Sequence, residues 1–156
     1  MGKVLVVGFG NLLLRDEGLG IHAVRALQER GLPPGVEAAD GATSAMNILP
    51  FLEGVDLLII LDAILGPGDP GTLYIMFPSD TREDQEPALS LHELNIPGVL
   101  RLLESLGKIP PDRTVIMGLQ PAVIEAGLDL SSEVAAALPR LIDGVLNEIG
   151  LHRRPD

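Results

Sequence analysis

The chain has 156 residues, a formal net charge of −11, no cysteine, and a 46% apolar content that includes only 3% aromatics. A single domain of this size buries roughly 70% of its unfolded surface, and here Leu, Val, Ile and Ala must fill the core. The charge excludes nucleic acid and anionic membrane surfaces, and the missing cysteine excludes disulfides, a thiol nucleophile and thiolate ligation, so any metal must bind through N and O.

No apolar run approaches a membrane span, and the start shows no cleavable leader pattern. A cytoplasmic protein is expected. The first strand is read at Lys3 to Phe9, valine-rich and closed by glycine, as an interior parallel strand requires. A glycine turn follows, and the first helix is predicted from about Glu17 to Arg30, capped by Asp16, with Ile21, Val24 and Leu27 toward the sheet. A second strand fits Val36 to Ala39. The corner Asp40-Gly41-Ala42-Thr43 comes next, then a helix capped by Thr43 or Ser44 and running through Leu52. The third strand, Asp56 to Leu61, is nearly all Leu and Ile and therefore central, and it delivers Asp62 at its carboxyl end, level with Gly10.

Ala63 to Gly71 is too short for a crossover helix, so the next strand, Thr72 to Phe77, is predicted antiparallel to the third. Pro78 to Pro87 reads as an acidic solvated loop. Leu91-His92-Glu93 then leads into a helix with Val99, Leu102, Leu103 and Leu106 at helical spacing. A fifth strand, Arg113 to Met117, ends in the turn Gly118-Leu119-Gln120-Pro121. The last helix begins near Ser131 or Ser132, with Val134, Leu138, Leu141, Val145 and Ile149 on one face and a kink or break at Pro139. Residues 1–150 thus make one three-layer α/β domain, with a five-stranded, mainly parallel sheet containing one antiparallel strand between helices. Residues 151–156 read as a disordered tail.

Ligands in open α/β sheets sit beyond the carboxyl ends of the strands at a topological switch point, which directs attention to Gly10 to Gly18. The turn Gly8-Phe9-Gly10-Asn11-Leu12-Leu13 lacks the third glycine of a dinucleotide fingerprint, and Asp16 and Glu17 would face the phosphates. Walker A and nucleophile-elbow patterns are also missing. What remains is Glu17, Asp62 and His92, all predicted at one edge of the sheet, a donor set suited to a divalent transition metal. Each has a plainer reading beside this one: Glu17 as a helix-dipole partner, Asp62 as a loop cap, and His92 as a polar residue before a helix. His22 and His152 are read as structural or solvated.

Four separated pieces, Gly8 to Gly18, Asp40-Gly41-Ala42-Thr43, Ile60-Leu61-Asp62-Ala63 and Ser90-Leu91-His92-Glu93-Leu94, resemble in order and spacing the hydrogenase maturation endopeptidases. Gly118-Leu119-Gln120-Pro121 and the last helix extend the likeness over nearly the whole chain. The resemblance implies an endopeptidase that trims the carboxyl end of a nickel-iron hydrogenase large-subunit precursor. It also implies nickel carried by the substrate as the recognition mark, and no tightly bound cofactor of the enzyme's own. On this basis Glu17, Asp62 and His92 are the catalytic and metal-contacting residues, and Asn11, Asp40, Gly41 and Thr43 contact substrate. The family often has a second glycine where this chain has Ala42. A nucleotide-binding module and a non-proteolytic nickel-binding maturation factor stay open as alternatives, although the chain has neither a complete phosphate loop nor a His-rich tract.

Overall fold

The computed structural model describes residues 2–43, 45–77, 89–90, 105, 107 and 113–154. Every residue from Val4 to Phe9 in β1 (Lys3–Phe9) is buried, because this strand is covered on both faces and flanked on both edges. β1 pairs in parallel with β2 (Val36–Ala42) on one side and with β3 (Val55–Leu65) on the other. Next come β4 (Leu73–Met76), the two-residue β5 (Leu89–Ser90) and β6 (Arg113–Leu119). The sheet order is β2-β1-β3-β6-β4, with four parallel strands, β4 antiparallel to β6, and β5 added antiparallel to β3. The predicted five-stranded, mainly parallel α/β domain is the observed one.

Side chains alternate across the sheet with period two, which divides the core. Val4, Val6, Leu57, Ile59, Val115 and Met117 face α1 (Leu19–Arg30) and α2 (Ser132–His152). Leu5, Val7, Phe9, Leu58, Ile60 and Ile64 face Ile48 and Leu52, brought in by the 3-10 turn Ala45–Phe51. Arg113 ties the start of β6 to α2 through a 3.1 Å ion pair with the buried Glu148, and its guanidinium carbon stands 5.3 Å from the centre of the Phe77 ring.

Several boundaries differ from the sequence reading. β2 continues through Asp40 and Gly41 to Ala42, and β3 continues to Leu65, so Asp62 lies inside its strand and not at its end. Gly118 and Leu119, expected in a turn, pair with Asp62 and Ala63 in β6. Glycine at 118 serves the close approach of two strands, since a Cβ there would overlap the carbonyl oxygen of Asp62. β4 runs in the expected direction, but β6 stands between it and β3.

The helix foreseen from Glu17 is divided: Arg15–Gly18 is a separate 3-10 turn and α1 begins at Leu19. The helix foreseen up to Leu52 is likewise a 3-10 turn, containing Pro50, which has no N–H to give to a longer helix. Ser44, a candidate cap, lies outside the described residues.

Helix α2 keeps the predicted apolar face and is capped by Ser131, whose Oγ accepts from Val134 N at 3.4 Å. Pro139 does not divide it: it sits on the exposed side, where the carbonyl deprived of its partner faces solvent and not the core. The helix also runs on through Leu151 and His152, which the sequence reading assigns to a tail.

After β4 the chain returns to the carboxyl end of β3. Leu89 and Ser90 pair there with Leu65 and Ile64. The acidic loop at 78–87, His92 and the helix carrying Val99, Leu102, Leu103 and Leu106 lie outside the described residues.

The first turn of α1 is pressed onto the sheet at Gly20, where a Cβ would overlap the carbonyl oxygens of Phe9 and Leu61. Both are backbone atoms of paired strands, so no rotamer change relieves the overlap. Gly20→Ala is expected to destabilise the domain by about 2 kcal/mol or more in urea unfolding, although alanine is the better helix former.

Candidate active site

β1 hands the chain to β2 on one side while β3 lies on the other, so the carboxyl ends of β1 and β3 form the switch point of the sheet. The loop from Gly10 to Gly18 leaves from this point. Its shape is set by its own backbone and by Asn11, whose Oδ1 accepts from Leu13 N at 2.9 Å. The Asn11 carbonyl accepts from Leu14 N at 3.1 Å, and its N–H donates to the Glu17 carbonyl at 3.3 Å. Glu17 is therefore held in a closed turn, half-buried, with that turn packed against β3. Asp62 is fully buried in β3, and its Oδ1 accepts from Ala63 N at 2.8 Å. By strand alternation it belongs to the face of Ile60 and Ile64. The fold thus brings the segments bearing Glu17 and Asp62 to one sheet edge.

Asp16, expected to cap the first helix, does something else. It is fully buried, and its carboxylate accepts from Ala122 N (2.8 Å), Val123 N (2.9 Å), Ser131 N (2.8 Å) and Ser131 Oγ (2.7 Å). The Asp16 N–H donates to the Val123 carbonyl at 3.1 Å, and Arg15 N donates to Gly127 O at 3.0 Å. The Arg15 guanidinium reaches Asp129 O at 3.0 Å and Glu125 at 3.4 Å. Residues 120–131 are clasped in this way to the loop that carries Glu17. Burial by itself raises the Asp16 carboxyl, but the hydrogen bonds from Ser131, Val123 and Ala122 together hold it below its ordinary value.

His22 lies beside the clasped segment. Burial, and next Arg25, lower its value against the opposing influence of the Leu128 backbone, Asp129 and Asp16. The sequence reading missed Arg15 and Ser131 as partners of this loop. The signal available was three successive charges placed directly before a core helix.

At the end of β2, Asp40 Oδ1 accepts from Ala42 N at 2.7 Å, the Ala42 carbonyl accepts from Gly10 N at 2.8 Å, and Asn47 Nδ2 donates to the Gly41 carbonyl at 2.9 Å. Gly41 is buried against the Phe9 ring, while Asp40 and Thr43 are exposed. Ala42 has φ +54°, a left-handed conformation that suits glycine. Beyond β6, Gln120 Oε1 accepts from Gly66 N at 2.7 Å and from the Tyr74 hydroxyl at 3.0 Å. Gly68 N donates to that hydroxyl at 2.8 Å, which fastens the loop after β3. Among the described residues no three His, Cys, Asp or Glu form a group that could hold a metal, and His92 is not one of those residues.

Removing the Asp16 carboxylate strands the buried N–H and hydroxyl of Ser131 and the part-buried N–H groups of Ala122 and Val123, so Asp16→Ala is expected to cost on the order of 3 kcal/mol. Because the folded value of Asp16 is depressed, its contribution is complete above the unfolded value of about 4 and is lost as pH falls through the folded one. The stability gap between the natural chain and Asp16→Asn should therefore narrow below about pH 4, as read by urea unfolding across pH. Ala42→Gly relieves the left-handed strain and should stabilise by up to about 1 kcal/mol, whereas Ala42→Val destabilises.

The hydrogenase maturation protease family, HycI, matches residues 21–148, a stretch that begins after Glu17 and contains Asp62 and His92. The hydrogenase 2 maturation protease of Escherichia coli (strain K12) is 36% identical over 151 residues, covering 92% of this chain and 88% of that protein. The hydrogenase expression/formation protein HupD of Rhodobacter capsulatus is 35% identical over 153 residues, 94% of this chain and 69% of that one. Among solved structures, the hydrogenase maturating endopeptidase HybD from E. coli superposes with a TM-score of 0.81 at 32% identity, covering 97% of this chain and 94% of that one. An alpha/beta sheet of this order, a carboxylate buried at its switch point, and relatives of this identity over nearly the full chain lead to one conclusion: the chain belongs to the hydrogenase maturation proteases and is a peptidase.

Proposed function

We propose that this peptidase removes the carboxyl-terminal extension of a nickel-loaded hydrogenase large-subunit precursor, and that the nickel is carried by the substrate and read as the mark of completion. The observation that carries the reading is the packing of the Glu17 turn against β3, the strand that holds the buried Asp62, at the switch point of a chain belonging to this family. Ser90 pairs with Ile64, two residues past Asp62, and His92 follows Ser90 by two residues, a reach of at most about 7 Å. Glu17, Asp62 and His92 are accordingly assigned to the nickel held by precursor cysteines. Such a set of N and O donors binds nickel more weakly alone than when substrate thiolates complete it. Asn11, Asp40 and Gly41 shape the rim that receives the precursor tail, and the exposed Thr43 touches it.

The reaction is hydrolysis: water adds to the scissile carbonyl carbon, the C–N bond breaks, and the proton passes to the leaving amine. The absence of cysteine excludes an acyl-thioenzyme and agrees with water as the nucleophile, with a site carboxylate moving the proton, an aspartyl-type division of labour. Among the described residues no helix is long and apolar enough to cross a membrane, and the proposed place of action is the cytoplasm.

Chelator-treated enzyme, freed of chelator, is expected to shorten nickel-loaded precursor and to spare metal-free precursor even in excess, with intact mass as the readout. His92→Ala and Glu17→Gln should each lower the rate at least about 100-fold while the circular dichroism melt is retained. Cleavage that tracks metal added to the enzyme and ignores precursor loading would refute the substrate-borne nickel.

A further inference from the structure

Three large apolar side chains stand in solvent on the clasped loops: Leu13 is 66% exposed, Leu128 65% and Ile124 45%. Their positions are fixed by the backbone. Gly127 N donates to the Leu13 carbonyl at 2.9 Å, Arg15 N donates to the Gly127 carbonyl at 3.0 Å, and Leu14 and Gly127 form a parallel bridge. Ile124 directly follows Val123, which is bonded to Asp16 through both its N–H and its carbonyl. Ordering entropy is therefore already spent before any partner arrives, which favours association through these side chains. Backbone groups of the two segments are paired with one another, so what they offer a partner is a side-chain surface and not a ladder for an added strand.

The rim of this surface is acidic. Glu125 and Asp129 are exposed and Glu17 lies four residues from Leu13 in the same loop, while the guanidinium of Arg15 is engaged by Glu125 and by the Asp129 carbonyl. A second copy of this chain would bring the same acidic rim and a net charge of −11, and like charges oppose that contact. A partner with an apolar centre and a basic rim is matched.

We infer that Leu13, Ile124 and Leu128 are the docking surface for the folded body of the protein substrate, which meets them with an apolar patch edged by Lys or Arg. This inference rests on the reading of a hydrogenase precursor as substrate. Docking here sets the precursor body against the loop that carries Glu17, so that binding and access to the site are coupled through the Asp16 clasp.

The test uses the purified chain, the double variant Leu13→Ser/Leu128→Ser, the single variant Asp129→Lys, and purified nickel-loaded precursor. Binding is measured by calorimetry as well as cleavage by mass. The double variant should bind about ten- to a hundredfold more weakly and raise KM by the same factor with kcat within about twofold. Asp129→Lys should also weaken binding and flatten its dependence on salt. If the double variant melts early, Ile124→Lys takes its place with the same expectation. Unchanged binding and KM in folded variants, with the natural chain cleaving normally, overturn the docking surface and leave the proposed function standing. A natural chain that neither binds nor cleaves the precursor overturns both. A micromolar dimer in sedimentation that Leu13→Ser/Leu128→Ser dissolves assigns the patch to a second copy and overturns the inference.

Discussion

One carboxylate, that of Asp16, joins parts of the chain more than a hundred residues apart. It sits fully buried beside the catalytic candidate Glu17 and accepts from two backbone N–H groups after β6 and from the residue that caps α2. A charge buried in this way is tolerable only when its lone pairs are taken up, and here four donors take them up. The consequence is mechanical: the loop from Gly10 to Gly18, the segment 120–131 and the start of α2 hold one arrangement. Arg15 reinforces it through the Asp129 carbonyl and Glu125.

Beneath the clasp, close backbone approach does the rest. Gly20 lets α1 begin directly over the carbonyl oxygens of Phe9 and Leu61, and Gly118 lets β6 lie tightly beside Asp62. These contacts leave Glu17 and Asp62 on rigid supports at the point where β1 and β3 part company. The corner at the end of β2 is fixed less comfortably. Ala42 adopts a left-handed conformation so that its carbonyl can accept from Gly10 N, at a position where the family often has glycine.

The loops around Glu17 present an acidic surface set with exposed apolar side chains. Acidic charge across the chain discourages self-association and favours a basic-edged partner. Apolar side chains held outward on clasped loops offer contact area beside the site at little entropic cost. The same clasp that positions Glu17 thereby also presents the surface around it.

Short valine-rich and isoleucine-rich runs and the glycine after β1 are local properties, so the sequence by itself determined the five main strands and the mainly parallel sense of their sheet. It also carried the family, because Glu17, Asp62 and His92 stand in motifs whose order and spacing are linear features. Tertiary structure alone decided what Asp16 does. A capping aspartate and a buried clasp look identical in sequence, and they differ only in whether donors from residue 122 and beyond arrive. For the same reason Gly118 reads as a turn until a neighbouring strand lies against it, and Asp62 as a strand end until β6 extends the pairing past it. Pro139 reads as a break until its face of the helix is known to be solvent. Local pattern sets what a segment can form; the partners that settle its role are distant along the chain and become neighbours only on folding.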